Sequence, residues 1–114
     1  MTDKQCTICI TEAQNYADRG AYISDMALSS MWGDIPDAQI PQDRLDQLGS
    51  IYDAVHRSIK QIAADAGMSV RAMATRFCIP QRTAEGWCCS GKSARDCPLY
   101  TRLMMQECLG LLKR

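Results

Sequence analysis

The apolar residues Leu45, Leu48, Tyr52, Val55, Ile59, Ile62 and Ala66 recur at alternating steps of three and four. A strand turns successive side chains to opposite faces, so only a helix lines these residues up along one stripe. Pro41 suits a first helical turn and Gly67 suits the left-handed residue that closes a helix. The spacing therefore predicts helix over 42–66. Such a stripe serves either a dimer partner or the chain's own core. Gly49-Ser50, followed by Asp53, leaves open two shorter helices with a kink.

The rest of the chain also reads as helix and punctuation. Residues 1–10 (MTDKQCTICI) carry no helical period and read as an extended arm. Thr11 can cap a helix running to about Arg19 and stopped by Gly20, with a second helix over Tyr22 to Trp32. Gly33 to Pro41 is a loop, broken by two prolines and a glycine. Beyond Gly67 the elements shorten. Ser69 caps a helix that buries Val70, Met73, Ala74 and Phe77, and Cys78-Ile79 forms a turn. Pro80 opens a helix over Gln81 to Cys88 with Ala84 and Trp87 inward, and Ser90-Gly91 breaks it. A last helix opens near Pro98, capped by Asp96, with Leu99, Leu103, Met104, Leu109 and Leu112 inward. No segment reads as a strand. The expected fold is all-α, in three parts: an acidic helical region over 1–41, a long connecting helix over 42–66, and short helices over 67–114.

Charge divides along the same line. The 13 basic and 13 acidic residues cancel over the whole chain. Residues 1–55 nevertheless carry a net of −6 and residues 56–114 a net of +6. A split of this kind points to an anionic partner for the second half. No apolar run reaches the ~18 residues of a membrane span, so no membrane partner is expected. The start lacks the basic and apolar pattern of a secretory signal, and seven cysteines, an odd number, suit a reducing compartment, so a cytoplasmic protein is expected. The chain has no glycine-rich phosphate loop, HExxH or Gx[ST]xG pattern, and His56 is its one histidine. An enzyme is therefore not expected. Cys6 and Cys9, with Cys88, Cys89 or Cys97, are the candidates for a metal site. Without a second CxxC or a histidine pair, neither metal nor cofactor is expected.

The run MSVRAMATRFCIPQRTAEGWCCSGK resembles the Cro/repressor type of helix-turn-helix domain, the Xre-like family. Ala74 matches the small residue at the helix crossing, Ile79 the apolar residue after the turn, and Thr83, Ala84 and Trp87 the opening of the recognition helix. Gly91-Lys92 follows as in the family. The sequence IPQRTAEGW, the basic loop and Cys97-Pro98-Leu99-Tyr100 look like a branch carried by phages and mobile elements. The resemblance covers roughly residues 56–112. Val70 stands where the family usually has a polar residue, Cys78 replaces the customary turn glycine, and Gly86 lies inside the recognition helix.

That resemblance implies a transcriptional regulator that binds double-stranded DNA as a homodimer. Gln81, Arg82 and Glu85 would meet base edges, Gln suiting adenine and Arg guanine. Thr83, Lys92, Arg95, Arg71 and Arg76, with Arg102 beside them, would hold phosphates. The stripe Leu45, Leu48, Tyr52, Val55 and Ile59 would dimerise or pack internally. Two other functions stay open. The acidic half could bind a foreign protein, as a phage-type anti-CRISPR inhibitor does, or wrap a toxin, as an antitoxin does.

Overall fold

A computed structural model describes residues 1–33, 40–89 and 95–114. Among the described residues the structure is all-helical, with seven α-helices, one 3-10 turn and no strand. None of these helices is long and apolar enough to cross a membrane. The chain divides into two compact units, Met1–His56 with Leu112–Arg114, and Arg57–Leu111.

The first unit opens with helix α1, Asp3–Ala13, in place of the expected arm. Thr2 and Gln5 form a reciprocal cap: the Gln5 amide donates to Thr2 Oγ1 at 3.1 Å and the Thr2 amide to Gln5 Oε1 at 2.9 Å. This satisfies two backbone donors that a helix start leaves open. Thr11 caps nothing; its hydroxyl donates to the Thr7 carbonyl inside α1. Helix α2, Arg19–Ala27, starts where a helix end is expected, because the Asp18 side chain accepts from the Ala21 amide. Gly20 lies within it, and a 3-10 turn, Ser30–Trp32, follows.

Helix α3, Gln42–His56, packs against both α1 and α2. Their shared core holds Cys6, Cys9, Tyr22, Met26, Leu48, Ile51, Tyr52 and Val55. The Tyr22 hydroxyl donates to the Cys9 carbonyl at 2.8 Å, and its ring meets Tyr16 and Tyr52 at 5.6 and 5.4 Å. His56 lies on the Tyr52 ring, with Nε2 2.9 Å from the Ala13 carbonyl. A carbonyl only accepts, so Nε2 carries the proton and ties α1 to α3. Gly49 admits the Arg19 guanidinium, which reaches Asp53 at 2.9 Å; a Cβ at 49 would collide with it. Ser50 does not cap an internal kink. It accepts from the Lys113 amide at 2.7 Å and so holds the C-terminal tail.

Burial leaves the Cys9 thiol fully enclosed and, with Cys6 beside it, pushes its pKa from 9.0 up to about 11. Burial also drives the Tyr22 phenol upward. Both groups are neutral when folded and ionise more readily when unfolded. The unfolded chain thus holds fewer protons above pH 9, and stability falls as pH rises through that range. Urea unfolding at pH 7, 9 and 11 is expected to show a flat profile followed by a loss of about 2 kcal/mol between 9 and 11. Cys9→Ala is expected to remove much of that slope. An unchanged midpoint at pH 11 would contradict the burial of both groups.

The expected long helix breaks at Arg57-Ser58, where the second unit begins. Helix α4, Ile59–Asp65, opens on a Ser58–Gln61 reciprocal cap. The stripe is therefore shared between two cores: Leu48, Tyr52 and Val55 are buried on α3, and Ile59 and Ile62 are buried beside Met73 and Met105. Leu45 is half-buried. The stripe residues that are buried pack within each unit.

Helices α5, Val70–Arg76, α6, Gln81–Cys88, and α7, Leu99–Cys108, complete the second unit. Ser69 caps α5 by accepting from the Ala72 amide at 3.0 Å. The ends of α4, α5 and α7 share one design. The residue after the cap turns left-handed, and the next amide reaches back to a carbonyl in the helix: Met68 to Ala63, Ile79 to Ala74, Leu111 to Gln106. This is the Schellman closure, whose left-handed place is normally glycine. Gly67 and Gly110 occupy it with φ of 74° and 75°, and Cys78 occupies it with φ of 56°. A side chain there costs ~1–2 kcal/mol, against ~0.5–1 for the extra freedom glycine loses on folding. Cys78→Gly is expected to stabilise the protein by about 0.5–1 kcal/mol, raising Tm by several degrees in a thermal melt. Cys78→Val is expected to lower it.

On α7 the inward residues differ from the expected set. Met104 is 62% exposed, while Met105 and Gln106 are buried and Leu99, Leu103 and Leu109 half-buried. Gln106 is buried and is met there by the half-buried Arg57. Arg57 Nη1 donates to Gln106 Oε1 at 3.1 Å, and Arg57 Nε to Asp65 Oδ2 at 2.8 Å. Gln106 Nε2 in turn donates to the Arg102 carbonyl. A charged group and an amide enter a core only when their donors are met in this way.

Candidate functional site

Helix α6 carries three of the residues expected to meet DNA bases. Its inner side is fixed by Ala84, buried, and by Trp87, half-buried against the core around Ile62 and Met73. Ala74 is buried on α5. Two alanines on neighbouring helices let those helices approach closely. The outer side of α6 follows from helical spacing: Arg82 and Glu85 are exposed, and Thr83 is half-buried. Phe77 and Ile79, at the joint between α5 and α6, also pack on the core.

Gln81 differs from its neighbours. Its Nε2 donates to the Arg71 carbonyl at 3.2 Å and to Thr75 Oγ1 at 3.3 Å, so the side chain bridges the start of α6 to α5. Gly86, which lowers helix propensity, has a steric reason. The Arg95 amide donates to the Gly86 carbonyl at 3.0 Å, and a Cβ at 86 would lie 3.3 Å from Arg95 Cδ. Arg95 is thereby held against α6, and it is exposed there.

The expected phosphate contacts separate into two groups. Arg71, Arg76 and Arg95 are exposed. Arg102 is turned inward: its Nη1 donates to the Arg57 carbonyl at 2.8 Å and fastens α7 to the start of α4. Lys92 lies outside the described residues. Charge by unit is +4 for Arg57–Leu111, from eight basic and four acidic residues, and −4 for the first unit, which gains Lys113 and Arg114.

The roles of Arg57, Arg102 and Gln106 had no signal in the sequence, since Arg102 and Gln106 sit at helical positions that equally suit solvent and Arg57 lies in the break before α4. Cys6 and Cys9 are buried on α1. Burial raises the Cys88 and Cys97 thiols, which keeps them protonated. Among the described residues no group of three His, Cys, Asp or Glu side chains is placed to hold a metal ion. No family model, curated protein or solved structure matches this chain.

Proposed function

We propose that this chain is a sequence-specific DNA-binding regulator of the repressor type, in which α5 and α6 form a helix-turn-helix and α6 enters the major groove. The observation that carries the reading is the outer side of α6. Arg82 and Glu85 are exposed there, while Arg71, Arg76 and Arg95 are exposed on the segments joined to it. A recognition helix needs this arrangement, with base-reading groups on its outer side and cations around it for phosphates. The left-handed backbone at Cys78 supports the same reading, because it is the conformation that a turn glycine takes at that point. A homodimer would present two such helices to a two-part operator. Its contact surface would lie outside the buried stripe of α3 and α4. The protein would act in the cytoplasm, in the control of a phage or mobile element.

Selection from random duplexes followed by fluorescence polarisation tests this proposal. A defined sequence is expected to be enriched. Arg82→Ala is expected to weaken binding about tenfold or more and relax one position, as loss of a base contact does. Arg76→Ala is expected to weaken all sequences alike and flatten the salt dependence. No enrichment, or equal binding by Arg82→Ala, would sink it.

A protein-binding role has one observation of its own. The first unit has a net charge of −4, and Asp3, Asp18, Asp25, Asp43 and Asp46 are all exposed. Such a surface suits a basic protein partner, as an inhibitor of a nuclease complex or an antitoxin would need. A pull-down in which the acidic unit retains a basic protein, with no operator found, would favour it.

A further inference from the structure

We infer that Gln81 reads only the exocyclic amine of a base, through its carbonyl oxygen, and so accepts adenine and cytosine alike; this rests on the DNA-binding reading above. The orientation of the amide follows from its surroundings. The Thr75 hydroxyl donates to the Arg71 carbonyl at 3.0 Å, so its hydrogen is already used. Gln81 thus faces two acceptors, the Arg71 carbonyl and the Thr75 oxygen, at 3.2 and 3.3 Å. Only the NH₂ end can donate to both, and since both acceptors lie on one side of it the amine is turned toward α5. Reversing the amide would set three oxygens against one another.

Oε1 remains. Among the described residues no donor meets it, and no buried side-chain oxygen or nitrogen there lacks a partner, so it reaches solvent. The usual glutamine contact with adenine needs both ends of the amide, a donor to N7 and an acceptor from N6. Here the donor end is held by α5. An acceptor alone is met by adenine N6 or by cytosine N4, each a donor in the major groove. Guanine O6 and thymine O4 would set oxygen against oxygen. Thr75 is therefore a positioning residue, and adenine-against-guanine discrimination at this position comes without adenine-against-cytosine discrimination.

The experiment uses the full chain and the duplex enriched by selection. Gln81→Ala identifies the position, as the one where its base preference disappears. Wild-type protein is then titrated against duplexes with A, C, G, T or 7-deazaadenine there. Adenine, cytosine and 7-deazaadenine are expected to bind within about twofold, and guanine and thymine about tenfold more weakly. Thr75→Val releases one amide hydrogen and is expected to prefer adenine over both cytosine and 7-deazaadenine by about tenfold, circular dichroism confirming that it folds. A wild-type preference for adenine over 7-deazaadenine of that size would overturn this inference alone, as would a Gln81→Ala profile equal to wild type. Enrichment of no sequence at all overturns the DNA-binding reading, and this inference with it.

Discussion

Tyr22→Ala is expected to lower the stability of the first unit by about 4 kcal/mol, the range for deleting a buried aromatic ring. Tyr22 has no exposed surface, and its ring lies between Tyr16 and Tyr52. Its hydroxyl holds the Cys9 carbonyl on α1, and its backbone belongs to α2. One side chain thus joins the three helices. A unit of about 60 residues has only ~3–9 kcal/mol of stability, so this loss takes a large share of it. Tyr22→Phe separates the two contributions. It keeps the ring and is expected to cost about 1 kcal/mol, the worth of one internal hydrogen bond. Urea unfolding followed by circular dichroism measures both. A Tyr22→Ala loss below 1 kcal/mol would show that the three helices do not depend on this ring.

Arg57→Met is expected to cost about 2–3 kcal/mol in the second unit. The guanidinium supplies the donors to Gln106 Oε1 and Asp65, and it reaches the Leu111 carbonyl at 3.5 Å. Gln106 has no exposed surface, so the hydrogen bond lost with that donor is not replaced by water. Asp65 is half exposed in the same pair, and Asp65→Ala is expected to cost under about 1 kcal/mol, as surface ion pairs do. The decisive variant is the double change Arg57→Met with Gln106→Leu. Replacing both partners by apolar groups of similar size is often close to neutral, so the double variant is expected to recover much of the single loss. Additive losses would mean that Arg57 and Gln106 act independently.

Much of the helical punctuation was readable in advance. Ser69 and Gly67 act at their expected places, because a cap bonds its own neighbouring backbone and a glycine takes the left-handed turn freely. Ala84 and Trp87 face inward for an equally local reason, helical periodicity. Two missed helix starts were legible too. Thr2 with Gln5 and Ser58 with Gln61 both have the spacing of a reciprocal cap. The unbroken run of apolar residues through Ile59 hid the second, because a three-and-four rhythm continues in phase across a short break. The reversal on α7, with Met104 outward and Met105 inward, had no such signal. Apolar residues stand at both positions, and only the neighbours decide which is covered.

The candidate site divides in the same way. Arg82 and Glu85 lie outward as helical spacing requires. Arg102, with the same residue type and a similar local setting, is drawn inward by the Arg57 carbonyl. Cys78 stands in a glycine's conformation because two backbone bonds close that turn around it.

The sequence by itself determined what short-range physics decides: that the chain is helical, where Ser69 starts a helix and Gly67 closes one, and which side of α6 is apolar. Tertiary structure alone decided which polar groups belong to the inside, which residues share a core, and that Lys113 and Arg114 join the acidic unit. The physical reason is range. Caps and periodicity act over three or four residues, whereas the pairing of Arg57 with Gln106, or of Gln81 with α5, depends on partners that only folding brings near.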